Sequence, residues 1–363
     1  MKTLLIYLLI PVSVFFGSCD NNTRQGQEDS NQPKEITGEA QGTTYSIKYY
    51  GNNTVEKQGV DSVLKAIDAS MSLWDENSII SRFNSSEEPV IIDHHFFRNL
   101  IASFFHWKNS EGAFNPLVKP LVDYWGFGVN ARKVTEVDSA KIEVLLGLMN
   151  MDSLRVIYGS EALKIEDVML KSTIPDTIKI MKLVPGMQLD FNAIAQGYSA
   201  DMLGRYMLSQ QIENYLIEIG GEMTSRGQKS DGSKWLVGID RPEENAGARK
   251  LEATIELDFK SIATSGNYRK FYEVDGKKYH HTIDALTGYP AKKEILSATV
   301  ISTSCAESDA FATTFMVTGL EKSIDYVEKN GTNLDAFFIY SNEKGGYEYY
   351  ISKGLEKKLK LKN

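Results

Sequence analysis

Beyond residue 150 the chain is written in short strand-sized runs, interrupted by helical patterns that follow no regular beat. Arg155–Tyr158, Tyr215–Ile219, Trp235–Ile239, Thr254–Leu257 and Ser297–Ile301 are rich in β-branched and aromatic residues, and Leu334–Tyr340 reads as a buried late strand. Helical spacing runs from near Asn192 towards Ser209, and again from Ser308 to Val317. A doubly wound sheet needs regular βαβ alternation. This order lacks it, so an α+β fold with mixed or antiparallel sheets and packed helices is expected. Upstream, Val60, Leu64, Ile67 and Met71 fall three or four apart, on one face of a helix. His94–Trp107 carries a second such stripe, and Asp138–Leu148 fits a third helix. Glu39–Tyr50 reads as one strand, and Ser110–Asn130, dense in Gly, Pro and aromatics, as a structured loop.

The chain has 363 residues, more than one hydrophobic core usually organises, so one large domain or two intimately packed subdomains is expected. Its start is a separate matter. Lys2 precedes an apolar run, Leu4 to Phe16, then Gly17-Ser18-Cys19. A charged start, a short apolar core and small residues describe a secretory signal peptide over residues 1–18. Cys19 in that setting resembles the acylated cysteine of a bacterial lipobox, which implies a lipid anchor on a bacterial membrane, facing the periplasm or the cell exterior. Residues 19–35 are polar and read as a flexible tether. The folded domain is expected over 36–353, and 354–363 as a solvated basic tail. With Cys19 acylated, Cys305 has no disulfide partner, so stability must come from the core.

A formal charge of −8, with no long block of one sign, excludes an extended nucleic-acid footprint. It leaves room for a small phosphorylated ligand. Four segments carry the candidate chemistry. Leu189-Asp190-Phe191-Asn192-Ala193-Ile194-Ala195-Gln196-Gly197 leads from a carboxylate through small residues into a helix start, where main-chain amides favour anions. Asp190 could equally cap that helix. Asp309 and Thr313 stand four apart, so on a helix they stack one turn apart and offer two oxygens to a hard cation such as Mg²⁺. The plainer alternative is an N-cap Asp with a back-bonded Thr. Thr264-Ser265-Gly266 and the adjacent pair His280-His281, before Thr282-Ile283-Asp284, form the third; on a strand only one of two neighbouring histidines faces a given site. Glu218-Ile219-Gly220-Gly221-Glu222 ends a strand in paired glycines, the fourth. Cys305 as nucleophile lacks an activating base nearby, and neither a Walker or Rossmann loop nor zinc-ligand spacing is present.

Together these segments resemble the ApbE-type FAD:protein FMN transferases, in their lipoprotein form. The same order includes Gln41-Gly42-Thr43-Thr44-Tyr45, Ser78 to Asn84, Glu111-Gly112-Ala113-Phe114-Asn115-Pro116 and Pro120 to Gly128. The resemblance implies a cleft between two subdomains in which Gln41, Trp74, Ala113, Phe114, Asn115, Asp190, Gln196, Ser265 and Ile283 contact FAD. It implies that the Ala193 carbonyl, Asp309 and Thr313 hold Mg²⁺. His281 is a candidate base for the incoming hydroxyl, since imidazole titrates near working pH. Trp74 offers a face for stacking or, alternatively, a core side chain.

The implied reaction moves FMN from FAD to a threonine of an acceptor protein, a subunit of a membrane electron-transfer complex, and releases AMP. Gln196 stands where many relatives carry Lys or Glu and cannot shuttle a proton. Ala285, Asn192, Gln41 and Ser308 also depart from the usual pattern. Two other readings stay open on sequence alone: a Mg²⁺-dependent FAD pyrophosphatase, and a flavin-binding lipoprotein without turnover.

Overall fold

A computed structural model describes residues 32–362 except 130–133, 174, 244–249, 268–270, 275–276, 293, 332 and 343–345. The expected signal peptide, Cys19 and nearly all of the tether lie outside the described residues. The main sheet has eight strands in the order β1 (Lys34–Ala40), β2 (Thr43–Tyr50), β7 (Asn214–Ile219), β8 (Glu222–Arg226), β11 (Ser261–Gly266), β14 (Ile295–Ser302), β15 (Asp335–Ser341) and β16 (Tyr347–Ile351). A second sheet runs β3 (Val90–Ile92), β6 (Ile178–Lys182), β4 (Leu154–Tyr158), β5 (Glu161–Leu163). A third joins β17 (Leu359–Leu361), β10 (Leu251–Leu257) and β9 (Trp235–Asp240), and β12 (Phe271–Val274) pairs with β13 (Lys277–His280). The pairings described are antiparallel, as the α+β reading expects.

The helices are α1 (Lys57–Met71), α2 (Ile79–Ser85), α3 (His94–Asn109), α4 (Lys119–Tyr124), α5 (Ser139–Leu146), α6 (Ile165–Met169), α7 (Ala195–Ser209), α8 (Cys305–Thr318) and α9 (Leu320–Asn330). The stripe on α1 is buried as its spacing requires: Val60, Leu64, Ile67 and Met71 all face inwards. One core forms around α2, α3 and the four-stranded sheet, with Phe83, Phe96, Trp125 and Phe191 fully buried in it. Separate clusters pack on the main sheet. Helix α8 packs between β11 and β14 on one side and α7 on the other, and is buried around most of its circumference.

Three expectations need correction. The single strand Glu39–Tyr50 is a hairpin: β1 ends at Ala40, and Gln41 and Gly42 turn the chain with φ +54° and +71°. Positive φ suits glycine and costs glutamine some free energy. The loop Ser110–Asn130 contains a short 3₁₀ turn, Pro116–Val118, and α4. The basic tail is not solvated throughout. Leu355 is buried, and Leu359–Leu361 pairs with Ala253–Ile255 of β10, because Leu355 and Leu359, set among the lysines, fill the core beside Trp235.

Candidate active site

The stretch from Leu189 to Gln196 cannot start its helix at once. Asp190 lies deep, and its carboxylate accepts the Asn192 amide at 2.7 Å, a turn two residues on. It therefore does not cap α7, whose cap position is Ile194. Burial pushes the Asp190 carboxyl up to about 6, against the opposing pull of those Asn192 hydrogen bonds.

At the start of α7 the helix contact is unusually close. A Cβ added to Gly197 would sit 2.4 Å from the Cys305 carbonyl oxygen, so only glycine lets α7 reach α8 here. Its amide, which in a regular turn would donate to the Ala193 carbonyl four residues back, donates instead to Asp309 Oδ2 at 3.2 Å. That leaves the Ala193 carbonyl oxygen available for another partner.

Helix α8 is held in register by α7. Asp201 accepts the Cys305 and Ala306 amides at 2.8 and 3.1 Å and the Ser304 hydroxyl at 2.7 Å. Ser304 is the N-cap, so Asp309 lies in the second turn and does not cap the helix. Thr313 is not back-bonded either: its Oγ1 lies 3.1 Å from Ser265 Oγ, whereas it is Thr314 that bonds back to the Ala310 carbonyl. Asp309 is 6% exposed, and burial pushes its carboxyl up to about 7. A buried carboxylate facing one amide is costly unless a cation joins it. With Thr313 one turn on and the released Ala193 carbonyl, the donor set is all oxygen and suits a hard divalent cation. Among the described residues no cluster of three or more His, Cys, Asp or Glu side chains could hold a metal, so this mixed oxygen set is the candidate.

These groups open onto one cavity of about 500 Å³, within the range of small-molecule sites. It brings together all thirteen anticipated FAD, metal and base residues: Gln41, Trp74, Ala113, Phe114, Asn115, Asp190, Ala193, Gln196, Ser265, His281, Ile283, Asp309 and Thr313. Trp74 is 69% exposed, which removes the core alternative and leaves its face open at the cavity. Gln41, on the hairpin turn, donates to Ser199 Oγ at 2.6 Å while its buried Oε1 has no hydrogen-bond partner among the described residues.

The Asn115 side chain is occupied at both ends, accepting the Leu117 amide and donating to the Met149 carbonyl. Its part is to shape the Ala113–Pro116 wall. Of the two histidines, His280 Nδ1 lies 2.7 Å from the Asn267 carbonyl, while His281 lines the cavity beside Phe127. Cys305 is fully buried, and burial with nearby Asp201, Glu222 and Asp309 raises its thiol, the opposite of what a nucleophile needs. A larger cavity, about 920 Å³, lies against the same helix starts. It is lined by Phe97, Ile101, Met202 and their neighbours and includes none of the anticipated residues.

A family model described as the ApbE family matches residues 41–338. The chain belongs to the ApbE family. It is 33% identical to the FAD:protein FMN transferase of Vibrio cholerae over 336 residues, covering 90% of this chain and 93% of that protein. Identity to the FAD:protein FMN transferase of Escherichia coli K12 is 28%, over 95% and 94% of the two chains. The solved flavin transferase ApbE from Vibrio cholerae superposes with a TM-score of 0.75 at 29% identity, covering 90% of this chain and all of that one. The ApbE protein from Thermotoga maritima gives 0.73 at 25% identity, covering 90% and 99%. The ApbE fold thus accounts for the α+β architecture.

Among the cavity residues that escaped the sequence reading are Asp68 and Glu222. Asp68 lines the cavity one step from Ile67 on α1, and burial raises its carboxyl although a Gln41 hydrogen bond opposes this. An acid adjoining an apolar helical stripe was its only signal. Glu222, quoted with the paired glycines but given no role, is buried in the cavity wall.

Proposed function

We propose that this ApbE-family enzyme transfers FMN from FAD to a threonine hydroxyl of a protein acceptor. The observation that carries the reading is the convergence of Asp309, Thr313 and the released Ala193 carbonyl on a nucleotide-sized cavity whose mouth exposes Trp74. The relatives named above are FAD:protein FMN transferases, which supports the same reaction here.

Ala193, Asp309 and Thr313 would hold magnesium, which when bound supplies charge neutralisation at the diphosphate. Trp74 stacks a ring of FAD, and Asp190 and Gln196 orient the nucleotide by hydrogen bonds. Gln196, an amide, donates and accepts without exchanging a proton. The threonine oxygen bonds to the FMN phosphorus as the phosphorus–oxygen bond to AMP breaks, and AMP departs. His281 takes the hydroxyl proton.

The reading extends to place and partner. Export and acylation at Cys19 would hold the enzyme on a bacterial membrane, facing the periplasm or exterior. There its acceptor, a subunit of a membrane electron-transfer complex, meets it at raised effective concentration. Incubation with FAD, MgCl₂ and a threonine-bearing acceptor peptide tests the chemistry. Flavin-labelled peptide with AMP is expected; free FMN with unlabelled peptide would instead identify a pyrophosphatase, and FAD bound but unchanged a flavin carrier.

A further inference from the structure

The segment Ser78 to Asn84 belongs to the family resemblance, yet none of its residues lines the cavity. It forms the cap and body of α2, and both ends of α2 are tied to cavity walls. At the front, the fully buried Ser78 accepts the Ser81 amide at 3.1 Å and donates to the Ser72 carbonyl at 2.7 Å. Ser72 and Trp74 line the cavity. At the rear, Asn84 behaves as a strand partner for a single residue. Its Nδ2 donates to the Leu189 carbonyl at 2.9 Å, and its Oδ1 accepts the Leu189 amide at 2.7 Å. A side chain that satisfies both main-chain groups of one residue fixes that residue in position and direction.

The next residue is Asp190, whose amide donates to the Pro116 carbonyl at 2.7 Å, closing the wall that holds Asn115. Behind Asn84, the Lys182 ammonium donates to its main-chain carbonyl at 3.3 Å and lies over the Phe83 ring. The Lys182 side chain is 2% exposed, with Glu87 at 3.6 Å as its counter-ion. A buried ammonium is costly to keep, and here it anchors the residue that grips Leu189.

We propose that Asn84 is a positioning residue for nucleotide binding, holding Asp190 at the cavity wall through Leu189. The inference rests on the reading of this cavity as the FAD site. If Asn84 acts through Asp190, removing Asn84 matters only while Asp190 is there to be misplaced, so the two substitutions are non-additive.

The test is a double-mutant cycle on the Kd for FAD at fixed MgCl₂, using the full exported chain. Asn84→Ala should weaken FAD binding about tenfold, and the same change in an Asp190→Asn background should cost less than about twofold. Ile339→Val, a core residue that does not line the cavity, serves as a control for general loss of stability and should leave Kd unchanged. If Asn84→Ala does not fold, Asn84→Ser and Asn84→Asp carry the same comparison. Equal losses in both backgrounds, or an unchanged Kd with a lowered melting temperature, would overturn the inference. Wild-type protein that binds no FAD would instead sink the functional reading itself.

Discussion

Burying Asp309 in α8 costs the metal-free fold free energy, because among the described residues the Gly197 amide alone donates a hydrogen bond to its carboxylate. Asp309→Ala should therefore leave the metal-free protein as stable as wild type, or more so, while turnover falls on the order of a hundredfold or more. Calorimetry without metal, paired with AMP release from FAD, checks both halves; unchanged turnover would refute the metal assignment. His106 carries a different electrostatic load. It is packed against Phe311 and Phe114, its Nδ1 has no hydrogen-bond partner among the described residues, and burial lowers its imidazole to about 4. The unfolded chain binds this proton near pH 6.5 and the folded chain does not until about pH 4. Stability is thus lost as pH falls through that window, by on the order of 3 kcal/mol from this group. His106→Phe should flatten the acid limb of a melting-temperature profile between pH 6.5 and 4; an unaltered limb would show that His106 is not its source.

The junction of α7 and α8 places the oxygens, and Gly197 is what permits it. Gly197→Ala forces its Cβ against the Cys305 carbonyl, so the helices must part and the amide must leave Asp309. Overpacking of this kind costs about 1–3 kcal/mol. The expected result is a modest fall in melting temperature with a larger loss of magnesium affinity, read by titrating metal against FAD turnover. A stability loss with unaltered metal affinity would contradict the junction's role. Elements with strong periodicity were legible in advance: α1 and α3 carry apolar stripes that tertiary packing had no reason to overrule. The hairpin turn was not, because Gln41 is an unusual residue for positive φ and strand-friendly residues flank it on both sides. The start of α8 was read three residues late, since Ser304 caps it locally but the Cys305 and Ala306 amides of its first turn are held by Asp201, which comes from α7, far away in the chain.

The two main bodies of packing, one around α2 and α3 and the other on the eight-stranded sheet, meet along the cavity, and this explains why the site was hard to read directly. Its walls come from residues as distant as Gln41 and Thr313, and no local spacing joins them. Asp190 and Asp309 each had an ordinary capping alternative; only the resemblance of the segments in order gathered them. Chain-wide closure also depends on the last residues. Leu355→Ala should cost about 2–4 kcal/mol through the core beneath β9 and β10, with turnover intact below the melting point. Chemical denaturation measures this, and a negligible loss would restore the view of a solvated tail. Intact-mass spectrometry of an acceptor protein after incubation with the enzyme, FAD and magnesium reads the transfer itself. The expected result is the addition of one FMN on a threonine with AMP released in equal amount, abolished by Asp309→Ala. An acceptor of unchanged mass, while FAD is consumed to free FMN and AMP, would contradict the transfer.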